Sequence, residues 1–182
     1  MAKPNSQPKP SKRRHPSVAK LQRIRLFATD VDGVLTDGGM YYSDSGQQMK
    51  KFNVWDGMGL ALMREAGLVL GIVTAEKTKA VIQRAKKLRI AEVHQGVWDK
   101  LDVLKKLGKQ YKIDLQEMAY VGDDINDFEA LQSVGFSACP ADARPEIRKS
   151  VQYVCQAKGG EGVVRELADM ILIAQSKHGL PR

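Results

Sequence analysis

The chain has 182 residues, 43% of them hydrophobic and 27% charged, which is enough for one domain with its own core and too apolar for a disordered polymer. No apolar run approaches the roughly 20 residues of a membrane helix, and the N-terminus lacks the apolar stretch of a secretory signal, so a soluble, cytoplasmic protein is expected. The net charge of +8 belongs to one end: residues 1–25 carry Lys3, Lys9, Lys12, Arg13, Arg14, Lys20, Arg23 and Arg25 and no acid, and the rest of the chain is balanced. Rich in Pro, Ser and Lys, this segment reads as a disordered basic tail over residues 1–22, ahead of a single domain over 23–182. Nucleic-acid binding would rest on that tail alone and is not expected. Cys139 and Cys155 form no metal-binding pattern and are expected to be reduced thiols in ordinary packing.

Beyond the tail, short runs rich in Val, Ile and Leu alternate with stretches of helical period. The expected strands are residues 25–30, 69–74, 92–94, 119–123, 136–138 and 153–155, and the expected helices 58–66, 77–88, 101–109, 126–134 and 163–174. The recurrence of Leu101, Leu104, Leu107 and Tyr111 places them on one helical face. Such alternation predicts an α/β fold, a doubly wound parallel sheet with right-handed crossovers. One segment departs from it. Residues 38–52, with Ser43-Asp44-Ser45-Gly46 at their centre, carry turn chemistry between extended flanks and predict a β-hairpin flap.

In an open parallel sheet the site lies beyond the carboxyl ends of the strands, and here those ends are polar. The first strand runs into Asp30-Val31-Asp32-Gly33, the second ends at Thr74, Lys100 opens the helix after the third, and the fourth runs into Gly122-Asp123-Asp124-Ile125-Asn126-Asp127. Carboxylates gathered at neighbouring strand ends repel one another unless a cation lies among them, and hard oxygen ligands select Mg²⁺. Asp30 is then oriented for attack on phosphorus and Asp32 for protonation of the leaving oxygen, while Lys100 supplies positive charge and Thr74 a hydroxyl for a phosphate. Each piece alone also suits turn or helix-cap chemistry; the joint placement points to a phosphatase. The competing reading is a non-catalytic binding subunit, which the presence of both Asp30 and Asp32 disfavours.

These residues resemble, in order, the four motifs of the haloacid dehalogenase superfamily of aspartate-nucleophile phosphatases. The stretches 37–42, 51–57, Gln95-Gly96, 120–124 and Gly159-Gly160-Glu161-Gly162 are more narrowly similar to the 3-deoxy-D-manno-octulosonate 8-phosphate phosphatases. The resemblance implies a fold without a large cap domain and a homotetramer assembled through the hairpin flaps. It implies Mg²⁺ held by the carboxylates of Asp30 and Asp123 and the backbone carbonyl of Asp32, with Asp124 and Asp127 in support. It also implies a substrate-facing loop at Asn53 to Gly57, including Asp56, and a glycine-rich segment, 159–162, covering the site.

The chain departs from that family on the substrate side. Glu76, Trp55 and Ala61 stand where many octulosonate phosphatases carry arginine, which removes partners for a sugar-acid carboxylate. Glu76-Lys77-Thr78 is similar to relatives acting on nine-carbon acids such as 2-keto-3-deoxynononate 9-phosphate. Glu76, Lys77 and Arg84, together with Asp32 and Lys100, complete the expected substrate contacts. The expected reaction is removal of the terminal phosphate of a 3-deoxy-2-ulosonic acid, through a phospho-Asp30 intermediate.

Overall fold

The computed structural model describes residues 16–176. Six strands, β1 (Leu26–Thr29), β4 (Val69–Thr74), β5 (Glu92–Gln95), β6 (Met118–Val121), β7 (Phe136–Cys139) and β8 (Tyr153–Val154), form one sheet. Its order is β5-β4-β1-β6-β7-β8, and every pairing is parallel. The chain winds outward from β1 through β4 to β5, then crosses to β6 on the other side of β1 and winds outward again. β1 and β6 therefore flank the point where the winding reverses, and their C-terminal ends border the crevice in which such folds bind ligands.

The central strands β1, β4, β6 and β7 are buried on both faces, as a parallel sheet between helices must be, and the edge strand β5 is half-buried. Within β1, Phe27 packs into one core with α2 (Val54–Glu65), α3 (Lys79–Leu88) and α7 (Val163–Ala174), and Leu26 and Ala28 pack into the other. That second core is closed by α4 (Lys100–Tyr111), α5 (Phe128–Ser133) and α6 (Pro145–Ser150). β6 alternates likewise, with Ala119 and Val121 on one side and Met118 and Tyr120 on the other.

The predicted helices are present, α7 with the expected bounds 163–174 and the others with shifted starts, because caps decide where helices begin. α2 starts at Val54, where Asn53 accepts from the Trp55 N–H, and α3 starts after Thr78, whose hydroxyl accepts from the Val81 N–H. The helix expected from 126 is a 3₁₀ turn, Ile125–Asp127, leading into α5. Two short helices were not expected: α6, which Pro145 opens at a first helical position, and α1 (Val18–Gln22), which Ser17 caps. α1 corrects the boundary of the tail. Leu21 is buried in the first core, and Gln175 donates from beyond α7 to the Leu21 and Ile24 carbonyls at 3.0 and 2.7 Å, so the ordered chain begins before residue 22. The rest of the expected tail, residues 1–15, lies outside the described residues.

The flap is a separate antiparallel pair, β2 (Tyr41–Tyr42) with β3 (Gln48–Met49), turned at Gly46, whose φ of +75° suits glycine. Its apolar side chains are outward: Tyr42 is 61% exposed and Met49 54%. Cys139 and Cys155 are buried free thiols, as expected. Among the described residues no helix is long and apolar enough to cross a membrane.

Asp56 requires a correction. Expected to face the substrate, it is buried in α2 and accepts from the backbone N–H groups of Val164 and Arg165 at 2.8 and 3.0 Å. α7 begins after Gly162 without a side-chain cap of its own, so a carboxylate from α2 satisfies its free amides and binds the two helices together. Burial raises the Asp56 carboxyl above the ordinary range, against the pull of those amides. Asp56→Ala is expected to cost about 1–2 kcal/mol, as caps do, and to lower the melting temperature by about 2–8 °C, read by thermal denaturation.

Candidate active site

Each expected catalytic residue sits at the C-terminal edge of the sheet because its strand ends there. The Asp30 N–H is held by the Val121 carbonyl at 3.0 Å, which carries the β1–β6 pairing one residue past the strand. Its side chain is then trapped from two directions: the Val31 N–H donates to Oδ1 at 2.6 Å and the Lys100 ammonium to Oδ2 at 2.7 Å. Lys100, 1% exposed, starts α4 after the cap Asp99 and bridges to Asp127 Oδ1 at 2.6 Å.

Asp127 accepts on both oxygens. Oδ1 also takes the Tyr120 hydroxyl at 2.6 Å, and Oδ2 takes the backbone N–H groups of Asp123 and Asp124 at 2.9 and 3.2 Å. It thus fixes the turn that carries Asp123, and a Cβ at Gly122 would lie 2.2 Å from its carboxyl carbon. None of these hydrogen bonds ends on the Asp123 carboxylate, which abuts the nucleophile loop: a Cβ on Gly33 would lie 2.1 Å from Asp123 Oδ2. Gly33, with φ +79°, is required both for the turn and for that approach.

Oxygens of Asp30, Asp123 and Asp127 converge within 4.8 Å, and the electrostatics show what this costs. Burial, then the Asp30 and Asp127 charges, pushes Asp123 up to about 8. Asp30 is pushed up to about 6, by burial first and then by Asp127, against the pull of Lys100. Burial pulls the Lys100 ammonium down, but Asp30 and Asp127 outweigh it and hold it charged. One ammonium does not balance three carboxylates. The residues therefore fit a hard divalent cation: Asp30 and Asp123 offer carboxylate oxygens to it, and Asp127, saturated with donors, holds the turn that carries Asp123.

Around this centre, Thr74 is buried at the end of β4. Asp32, on the turn after β1, accepts at Oδ1 from the Thr36 hydroxyl at 3.4 Å and from the Lys50 ammonium. Asp124 is exposed and caps the 3₁₀ turn. The glycine-rich segment lies over the nucleophile loop as expected, its Gly160 N–H on the Val34 carbonyl at 2.9 Å and its Gly160 carbonyl accepting from the Asn53 amide at 3.1 Å.

The other expected substrate residues lie outside this cluster of hydrogen bonds. Arg84 donates to the Asn53 carbonyl at 2.7 Å and lies 5.6 Å from the centroid of the Phe52 ring. Gly57 makes room for that guanidinium, since a Cβ there would be 2.4 Å from it. Glu76 and Lys77 are exposed on the loop after β4. Two residues were missed in the sequence. Tyr120 occupies an ordinary strand position, and Lys50 is one of two adjacent flap lysines; neither has a spacing that marks it.

A buried aspartate held by a lysine where a doubly wound sheet reverses, with a second acidic loop against it, defines an aspartate-centred, metal-assisted hydrolase. The sequence matches the family model of haloacid dehalogenase-like hydrolases over residues 76–167. It is 39% identical over 160 residues to the 3-deoxy-D-manno-octulosonate 8-phosphate phosphatase KdsC of Escherichia coli K12, covering 88% of this chain and 85% of that protein. The crystal structure of the phosphatase of that name from Yersinia pestis superposes with a TM-score of 0.86 at 38% identity, covering 88% and 86% of the two chains. That from Moraxella catarrhalis, in complex with magnesium, phosphate and KDO, superposes with a TM-score of 0.86 at 39% identity, covering 87% and 91%. The chain belongs to the haloacid dehalogenase-like hydrolases, in the same family as these phosphatases. It is a phosphoric monoester hydrolase.

Because Asp30 and Asp123 hold protons more tightly folded than unfolded, the metal-free fold loses stability as pH rises from the ordinary aspartate value of 3.8 through about 8. Magnesium competes with those protons, so its stabilisation is larger at pH 8 than at pH 5. At about 100 times its Kd it should raise the melting temperature by roughly 5–10 °C near pH 8; thermal melts with EDTA or Mg²⁺ across pH 5–8.5 check this.

Proposed function

We propose that the protein hydrolyses the terminal phosphate of a 3-deoxy-2-ulosonic acid, with 3-deoxy-D-manno-octulosonate 8-phosphate as substrate and Asp30 as nucleophile. The observation that carries the chemistry is the Asp30–Lys100–Asp127 constellation with Asp123 beside it; the substrate rests on the 39% identity to the octulosonate phosphatases. Asp30, Asp123 and the Asp32 backbone carbonyl would hold magnesium, which would supply positive charge to offset the carboxylates and a substrate phosphate.

The remaining work falls to the chain's own residues. Lys100 and the Val31 N–H hold the Asp30 carboxylate against rotation, so an oxygen attacks phosphorus without first being ordered. As the Asp30 oxygen–phosphorus bond forms, the bond to the sugar oxygen breaks with its electron pair on that oxygen, and Asp32 delivers a proton there. Asp32, now a carboxylate, takes a proton from the water that attacks the phosphorus of phospho-Asp30; phosphate leaves and both aspartates are restored. Thr74 and Lys100 supply donors to phosphate oxygens. Asn53 and the segment 159–162 shield the reacting bond from bulk water.

The nine-carbon reading is kept alive by Glu76, exposed beyond Thr74 where a cation would serve an eight-carbon carboxylate. Assembly as a homotetramer through the flap belongs to the same proposal and is supported by its outward tyrosines and methionines. So does a cytoplasmic setting, with which the unpaired thiols agree.

Asp30→Asn is expected to reduce turnover at least about 10³-fold in a protein that still folds, read by circular dichroism, with a shifted melting curve because Lys100 loses a charged partner; phosphate release at near wild-type rate would overturn the nucleophile assignment. A phosphate-release screen over eight- and nine-carbon acid phosphates, with Mg²⁺ and with EDTA, should give the highest kcat/KM on the octulosonate and none with EDTA. Preference for the nine-carbon ester, reversed by Glu76→Arg, would establish the alternative.

A further inference from the structure

We propose that Lys50, carried by the hairpin flap, is a positioning residue for proton transfer: it holds Asp32 so that Oδ2 is the oxygen presented to the leaving group. The inference rests on the reading of Asp32 as the proton donor. Nothing in the motif pattern pointed to Lys50, which lies 18 residues from Asp32 in the chain.

The geometry begins with the pleat of the flap. Alternate residues of an extended segment face opposite ways, and across the end of β3 this separates two adjacent lysines. The Lys51 side chain is 68% exposed and reaches Asp37 at 3.6 Å. The Lys50 side chain is 1% exposed, with its ammonium on Asp32 Oδ1. An enclosed ammonium needs an acceptor in place of water, and Asp32 Oδ1 supplies one. The flap is fastened to the same loop again by Tyr41, whose hydroxyl donates to Asp37 Oδ2 at 2.8 Å.

What this does to Asp32 follows from the donor inventory. An ammonium has protons to give and no lone pair to accept with, and the Thr36 hydroxyl also donates to Oδ1 at 3.4 Å. Oδ1 is therefore occupied as an acceptor, and a transferable proton belongs on Oδ2. Oδ2 is buried and has no hydrogen-bond partner, although buried carboxylate oxygens are rarely left so. A carboxyl with one oxygen pinned and the other free is oriented for a single proton transfer. When the bond from phosphorus to the sugar oxygen breaks, that oxygen takes the electron pair and the proton from Oδ2, and Asp32 is left as the carboxylate that Lys50 still holds.

The flap thus acts on the chemistry without touching the reacting atoms. Lys50→Met should impair the step in proportion to how much the leaving oxygen needs a proton. The measure is kcat/KM, which reports only the steps up to release of the alcohol, for p-nitrophenyl phosphate, phenyl phosphate and a primary alkyl phosphate. Expected are a loss of about tenfold or more on the alkyl ester, less than about threefold on the p-nitrophenyl ester, and partial recovery with Lys50→Arg. A loss equal on all three esters, or no loss, overturns the proposal, because a lysine that only holds the flap in place affects every ester alike. Lys50→Gln, read by the same ratio, serves if Lys50→Met does not fold. Asp32→Asn is the reference. If it shows the leaving-group dependence and the Lys50 variants do not, the positioning role fails and the proton donor stands; if Asp32→Asn shows none, the reading of Asp32 fails, and the inference with it.

Discussion

Lys100 meets two carboxylates in a space closed to water, and much of the molecule is disposed around that meeting. Burial works against charge there; the two acids outweigh it at Lys100, and Lys100 in turn pulls Asp30 back toward ionisation. The pairing is not a source of net stability so much as a constraint, since removing either partner would leave an uncompensated buried charge. It ties the start of α4 to the end of β1 and, through Asp127, to the turn after β6. The three elements that contribute the chemistry therefore move as one body.

The same balance leaves a deficit that the protein does not correct with its own side chains. Asp127 is spent on the Tyr120 hydroxyl and two backbone amides, Asp30 on Lys100 and an amide, and Asp123 is left without such donors. A second buried lysine would have reduced the excess of negative charge and closed the site. Leaving Asp123 under-compensated stores electrostatic strain that a divalent cation relieves, so metal affinity and the instability of the metal-free pocket are two aspects of one arrangement.

The periphery is built more loosely. The flap, the α2 start and the segment 159–162 reach the nucleophile loop through a few polar contacts: Lys50 to Asp32, Tyr41 to Asp37, Asn53 to Gly160, Gly160 to Val34. These surround a rigid centre, which is where substrate preference can change without disturbing the acids. Trp55 and Glu76 are exposed in that rim.

The sequence by itself determined the layered fold and the acids at its edge. Short continuous apolar runs and helical faces at period 3.6 are local and leave few topologies open, and the residues ending those runs, Asp30, Thr74 and Asp123, had to fall on one edge of a parallel sheet. Only the tertiary structure decided what each polar group spends its hydrogen bonds on. Asp56 looked like a substrate ligand and is the cap of α7, more than a hundred residues away in the chain. Arg84 looked like a carboxylate partner and is occupied by the Asn53 carbonyl. Lys50 and Lys51 are chemically identical neighbours, and one is enclosed while the other is solvated. The physical reason is the same each time: a side chain's composition states what it can bind, whereas desolvation and the nearest available partner, both set by distant segments of chain, decide what it does bind.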